Sequence, residues 1–303
     1  MKFYFFSAFS VETLCILNLR FLCYPKVCKL YIVFAPCVGM GMAEEILIES
    51  ASGERISALV NQPDEVVSEG GGKTLVLMIH GYPGQKNSHN DFFGDLEALL
   101  AESGFHTVRF DFRGCGQSDG QSEQFTLHSA CEDFKNMLLW AKTQGYERFG
   151  YIAEGFGASL ALLNLTPETD FLVLAWPILD PLNVFEFYFV KDVKPSGAAP
   201  SQGQGQKISQ SFVDSLKATD YSKALASVDV PMLILHGVKD EQVPIDQLEL
   251  IRKHFKGPRA EITTFEDGGH GLTALAHRKM VFHHVKGFVL RYARPPQKAA
   301  KRA

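Results

Sequence analysis

The run Lys73–His80 (KTLVLMIH) constrains this chain more than any other segment. Its core, Leu75–Ile79, is apolar at every position, so it has no polar face to turn to water. Such a strand belongs at the centre of a sheet covered on both sides, the arrangement of parallel α/β proteins. The segments after it repeat the theme, with apolar runs alternating with stretches of helical period. Helices are expected over Phe92–Glu102, Leu127–Thr143 and Phe156–Leu165, and strands over His106–Phe112, Arg148–Ala153 and Phe171–Trp176. In the second helix Ala130, Phe134, Met137, Leu138 and Ala141 form one stripe. Ile46–Glu49 and Arg55–Asn61, joined by Ser52-Gly53, read as an opening hairpin.

The alternation breaks over residues 177–227. That stretch holds the aromatic run Val184–Val190, a Ser/Gly/Gln/Pro tract at Ser196–Gln206 and a helical stretch near Ile208–Lys217, the composition of a short lid inserted between two strands. Strand Pro231–His236, a helix from Pro244 to Phe255, strand Glu261–Phe265 and a last helix to Tyr292 complete the pattern. One α/β domain over residues 43–292 is expected, followed by a disordered basic tail over 293–303.

Residues 1–42 differ in composition from this body. They hold four of the six cysteines (Cys15, Cys23, Cys28, Cys37) and four basic residues against a single acid, Glu12. Their apolar runs are too short or too interrupted for a signal peptide or a membrane-spanning helix. The favoured reading is a non-native extension, with the working chain starting at Met40 or Met42; a membrane-associating or exported leader is the alternative. No CxxC pair occurs among these cysteines, which argues against zinc. The body keeps only Cys115 and Cys131, far apart in sequence, as suits a reducing, cytoplasmic compartment. A net charge of −4 on 303 residues argues against a nucleic-acid partner. No phosphate-loop motif is present, and Gly114-Cys115-Gly116 matches only part of a dinucleotide fingerprint, so no nucleotide or other cofactor is expected.

Chemistry in open parallel sheets collects at the carboxyl ends of the strands. Four segments stand out there: His80-Gly81-Tyr82-Pro83-Gly84, Asp111–Gly120 (DFRGCGQSDG), Asp240 after Ile234–Gly237, and His270 within Glu266–Gly271. Each has a plain reading. Asp240 can open a turn, His270 can cap a helix, Arg113 can pair with a carboxylate, and Cys115 is a small buried side chain.

Taken in this order, the four motifs resemble the α/β-hydrolase superfamily, close to small serine esterases of the feruloyl or cinnamoyl type and to the monoacylglycerol-lipase and serine-aminopeptidase-like groups. The resemblance spans about residues 44–292. It implies a mostly parallel central sheet with helices on both faces, an oxyanion hole using the Tyr82 N–H, a triad acid at Asp240 and a triad base at His270.

The family's nucleophile is a serine in a G-x-S-x-G turn between strand and helix. Here the matching segment is Ala153-Glu154-Gly155-Phe156-Gly157, with Gly155 where the serine belongs and Phe156 as the second oxyanion donor. Ser159 lies four residues on, and using it would bury the turn inside the helix. Glu154, beside the tip, is either an auxiliary carboxylate or a member of a local hydrogen-bond network. Three readings follow: an ester or acyl hydrolase for small acyl or aromatic substrates with an incomplete triad and weak or no covalent hydrolysis, a non-catalytic ligand-binding or regulatory protein, or a serine esterase in which Gly155 is an introduced substitution.

Overall fold

The computed structural model describes residues 17–24, 27–34, 43–63, 73–185 and 210–293. The first strands, β1 (Leu17–Tyr24) and β2 (Val27–Phe34), pair antiparallel in a two-stranded sheet of their own. Composition marked this stretch as distinct and gave no hint of a hairpin. The lid residues 186–209 and the tail from 294 lie outside the described residues.

The body is built on eight strands: β3 (Glu44–Glu49), β4 (Arg55–Asn61), β5 (Lys73–Ile79), β6 (His106–Phe110), β7 (Tyr146–Glu154), β8 (Thr169–Ala175), β9 (Met232–Gly237) and β10 (Ala260–Phe265). Their spatial order is β10-β9-β8-β7-β5-β6-β4-β3. The six strands from β5 to β10 run parallel, while β3 and β4 add an antiparallel edge. In β5, Leu75–Ile79 are fully buried, which is why the run carries no polar face.

Helices α1 (Phe92–Ala101), α2 (Leu127–Thr143), α3 (Phe156–Leu163), α4 (Pro181–Phe185), α5 (Gln210–Lys217), α6 (Tyr221–Ala226), α7 (Gln247–His254) and α8 (Leu275–Tyr292) complete the body. They divide the apolar interior into two layers. One, with Phe134, Met137, Tyr151 and Leu160, lies under α2 and α3; the other, with Phe93, Leu96, Phe171 and Phe288, lies under α1 and α8. Thr126 caps α2 by accepting the Ser129 N–H at 3.0 Å.

Several boundaries differ from those expected. The strand ending at the elbow starts at Tyr146, whose ring is buried and stacks edge-on against His106 of β6. The helix expected from Pro244 begins three residues later, because Pro244–Gln247 close a turn in which the Gln247 N–H bonds to the Pro244 carbonyl at 3.1 Å. Strand β6 stops at Phe110, although the Asp111 N–H still bonds to the Ser57 carbonyl of β4 at 2.9 Å; the Asp111 carboxylate accepts from Lys86 and Gln117. Within the lid region, α4 stands on buried Val184 and Phe185, and α5 on Phe212 and Leu216.

Candidate active site

A single residue separates β7 from α3. That residue, Gly155, has φ 51° and ψ −122°. An L side chain is strained at this φ. The turn is fixed on both sides: the Gly155 N–H donates to the Ala175 carbonyl at 3.1 Å, and its own carbonyl accepts from Ile178 N–H at 3.0 Å. Two residues on, a Cβ at Gly157 would run into the Ile79 and His80 carbonyl oxygens, so glycine lets α3 lie directly against the end of β5. At Gly155 itself a Cβ would meet nothing nearer than Gly81 Cα at 3.8 Å. The turn therefore has the backbone and the space for a side chain, and carries none.

Asp240 and His270 follow the neighbouring parallel strands β9 and β10, whose register puts Gly237 opposite Phe265. The structure brings them together, with His270 Nδ1 2.9 Å from Asp240 Oδ2 and 3.1 Å from Oδ1. Asp240 is buried, and its Oδ1 also accepts the N–H groups of Gln242 (2.9 Å) and Val243 (2.8 Å). The carboxylate is thus locked to its loop and accepts a hydrogen bond from His270 Nδ1–H, which leaves Nε2 as the other ring nitrogen. The His270 side chain is 32% exposed, so it is reachable from solvent. Trp176, at the end of β8 with φ 37°, holds its ring edge-on to His270 at 6.1 Å.

Gly81 and Tyr82 face the elbow from the end of β5. A Cβ on Gly81 would lie 3.6 Å from the Phe156 backbone nitrogen, which puts the two loops in van der Waals contact. Phe156 begins α3, where the first amides lack an intrahelical acceptor. The side chains of Tyr82 and Phe156 anchor those loops. Tyr82 stacks on Phe125 at 3.9 Å, and Phe212 lies 5.5 Å from Tyr82, 5.5 Å from Phe125 and 5.6 Å from Phe156. Phe185 of α4 closes the cluster at 5.5 Å from Phe156. Lid helices, elbow and Gly81–Tyr82 loop therefore share one aromatic cluster. Burial pushes the Tyr82 phenol up to about 12, so it stays protonated.

Glu154, the last residue of β7, is buried and accepts the Ser88 hydroxyl at 2.6 Å. Burial pushes its carboxyl above the ordinary value, opposed by bonds from Ser88 and the Gly81 amide and by the charge of nearby His270. Ser88 adopts φ 62° and ψ −172°, a region that belongs almost entirely to glycine. Ser159 sits within α3, fully buried, with its hydroxyl donating to the Ile178 carbonyl at 2.5 Å. Cys115 is buried, and burial pushes its thiol up to about 12, which keeps it out of thiolate chemistry. Arg113 pairs with Asp133, Glu54 and Glu132.

Two contributors escaped the sequence reading. Lys86, buried in the turn after β5, bonds through Nζ to Asp111 Oδ2 (2.8 Å) and Ser57 Oγ (2.9 Å) and to Gln117, tying the Gly81–Tyr82 loop to the Asp111–Gly120 loop. A lysine inside a Gly/Pro-rich turn was the available signal. Ser88 gave none, because its role depends on its backbone conformation. His80 is buried, its Nε2 accepts from Phe112 N–H at 3.3 Å, and burial lowers its proton affinity. Among the described residues no group of three or more His, Cys, Asp or Glu side chains is placed to hold a metal ion. No helix among them is long and apolar enough to cross a membrane.

An eight-stranded sheet of this order, an elbow between strand and helix and a paired Asp–His at the ends of the last two strands define a class. The chain has the α/β-hydrolase fold, and residues 74–163 match the family model described as alpha/beta hydrolase fold. It is 24% identical over 232 residues to the AB hydrolase superfamily protein YisY of Bacillus subtilis, covering 65% of this chain and 84% of that one. Among solved structures it is similar to Est1E of Butyrivibrio proteoclasticus with ferulic acid bound, with TM-score 0.68 at 21% identity, covering 82% of this chain and 99% of that one. It is also similar to the Pyrococcus furiosus esterase Pf2001, with TM-score 0.63 at 20% identity over 83% and 91% of the two chains.

Proposed function

We propose that this protein binds small acyl or aromatic esters in a site with two of the three members of a serine-hydrolase triad, and that it forms no acyl-enzyme on the elbow. The observations that support this reading are Gly155 at φ 51° on the elbow tip next to the Gly81 loop, the hydrogen-bonded Asp240–His270 pair, and the electrostatic interaction of His270 with Glu154, the residue before the tip. His270 serves as general base, with Asp240 fixing its tautomer and orientation. The amides of Tyr82 and Phe156 serve as the oxyanion donors. The aromatic cluster of Tyr82, Phe125, Phe156, Phe185 and Phe212 favours an apolar or aromatic acyl group, in keeping with the ferulic acid held by Est1E.

Deleting the nucleophile from a comparable triad costs on the order of 10⁶ in turnover and leaves roughly 10³ over the uncatalysed reaction. Restoring it is the direct test. Gly155→Ser is expected to raise kcat/KM on a short-chain p-nitrophenyl ester by about 10³ or more, and a serine-directed phosphonate should then label the new residue. An unchanged rate in the folded variant would overturn the assignment of Asp240 and His270. A non-catalytic role for the same site is favoured by one fact, that glycine relieves the strain of the turn while removing the reactive group. On that reading His270→Ala leaves ligand affinity intact.

A further inference from the structure

The positive φ of Gly155 and the open space in front of it point beyond the loss of a nucleophile. Around the tip lie the Gly81–Tyr82 loop and the start of α3, and the buried carboxyl of Glu154, the residue before it, interacts electrostatically with His270 of the Asp240–His270 pair. No protein atom fills the position a serine side chain would start from, the nearest being Gly81 Cα at 3.8 Å. The tip is therefore open on the side where a serine side chain would project.

We propose that the protein takes its nucleophile from solution: a small hydroxyl or amine compound enters at the open tip of Gly155, gives its proton to His270 and attacks the ester carbonyl directly. The inference rests on the ester reading above and extends it, because it makes the acyl acceptor a second substrate. The step balances without an oxidant or reductant. A bond forms between the acceptor oxygen or nitrogen and the acyl carbon, and the bond from that carbon to the leaving alcohol breaks. The proton passes from the acceptor to His270 and from His270 to the departing alkoxide. Glu154 interacts electrostatically with His270. Its hydrogen bonds to Ser88 and Gly81 keep it at that position.

This chemistry differs from a serine route in what controls the rate. Direct attack makes product formation first order in the acceptor, with no burst and no acylated protein. The full chain is incubated with the phenyl ester of a short-chain acid and increasing hydroxylamine, a small nucleophile whose hydroxamate product is read by mass spectrometry. Enzyme-dependent hydroxamate is expected to rise linearly with hydroxylamine and to fall by about 10²-fold in His270→Ala. Gly155→Ala, whose methyl takes the space, should also lower it, with Gly155→Ser controlling for the strain both side chains share. Product formation that ignores hydroxylamine, or a protein mass increased by the acyl group, would overturn the proposal. If Gly155→Ser hydrolyses esters while the unmodified protein gives no hydroxamate above His270→Ala, the external-nucleophile step fails and the ester reading stands. If both are silent, the ester reading itself fails.

Discussion

The loops after β9 and β10 and the turn after β7 stand side by side on one sheet and differ in what they retain. The first two hold a complete side-chain device, with Asp240 anchored by two backbone amides and His270 hydrogen-bonded to it. The turn after β7 holds a backbone device alone: a glycine at φ 51°, a helix start with no side-chain cap and a close approach of α3 to β5. The difference teaches that elbow geometry does not depend on the residue it would present. It is imposed by neighbours, through the bonds of Gly155 to Ala175 and Ile178 and the contact of Gly157 with the end of β5. The dyad, by contrast, exists only through its side chains.

The sharpest way to break this comparison is to join the two halves and then remove one. In the Gly155→Ser background, Asp240→Asn should lower kcat by about 10⁴, the cost of losing the correct imidazole tautomer in a comparable triad. The Asn side chain can still accept the Gln242 and Val243 amides, so thermal unfolding should move little while turnover collapses. A fall of less than tenfold would mean that His270 works without Asp240 and that the two loops are only structurally linked.

A smaller effect, on stability, tests what holds the wall facing the elbow. Lys86 and Asp111 form a buried ion pair, and removing one partner strands the other charge. Lys86→Met should cost roughly 3–5 kcal/mol in urea unfolding. Lys86→Met combined with Asp111→Asn should recover part of that loss, since the remaining buried group is then neutral. Equal losses in the single and double variants would show that the stranded Asp111 charge is not what the substitution costs.

Much of this arrangement was legible in the chain, and the reasons are physical. Leu75–Ile79 announced a central strand because nothing in it tolerates water. The facing of Asp240 and His270 was legible because both follow strand patterns that end a few residues earlier, and parallel neighbours deliver such residues to one edge of the sheet. The elbow was legible from small residues, since only glycine permits the approach at 157. What stayed hidden depends on conformation or on distant partners. Ser88 reaches Glu154 across 66 positions from a backbone region that its identity does not suggest. Lys86 reads as a surface residue until Asp111 and Ser57 close around it. The pairing of β1 with β2 was masked by a composition that drew attention to cysteines and charge.

The subtlest test concerns the carboxyl that lies between the two regions compared above. Burial raises the proton affinity of Glu154 in the folded protein, so the folded state holds its proton at pH values where the unfolded chain has released it. Between the ordinary glutamate value and the raised one, the folded state therefore binds more protons than the unfolded state. Stability from this group is fully present below the ordinary value and is lost as pH rises through the raised one. Glu154→Gln removes the titration while keeping an acceptor for Ser88. The difference in unfolding free energy between the two proteins should thus change with pH over that window, the variant gaining relative to the parent as pH rises, and become constant above it. A difference independent of pH would show that the carboxyl is not held against ionisation and carries its charge from the ordinary glutamate value upward.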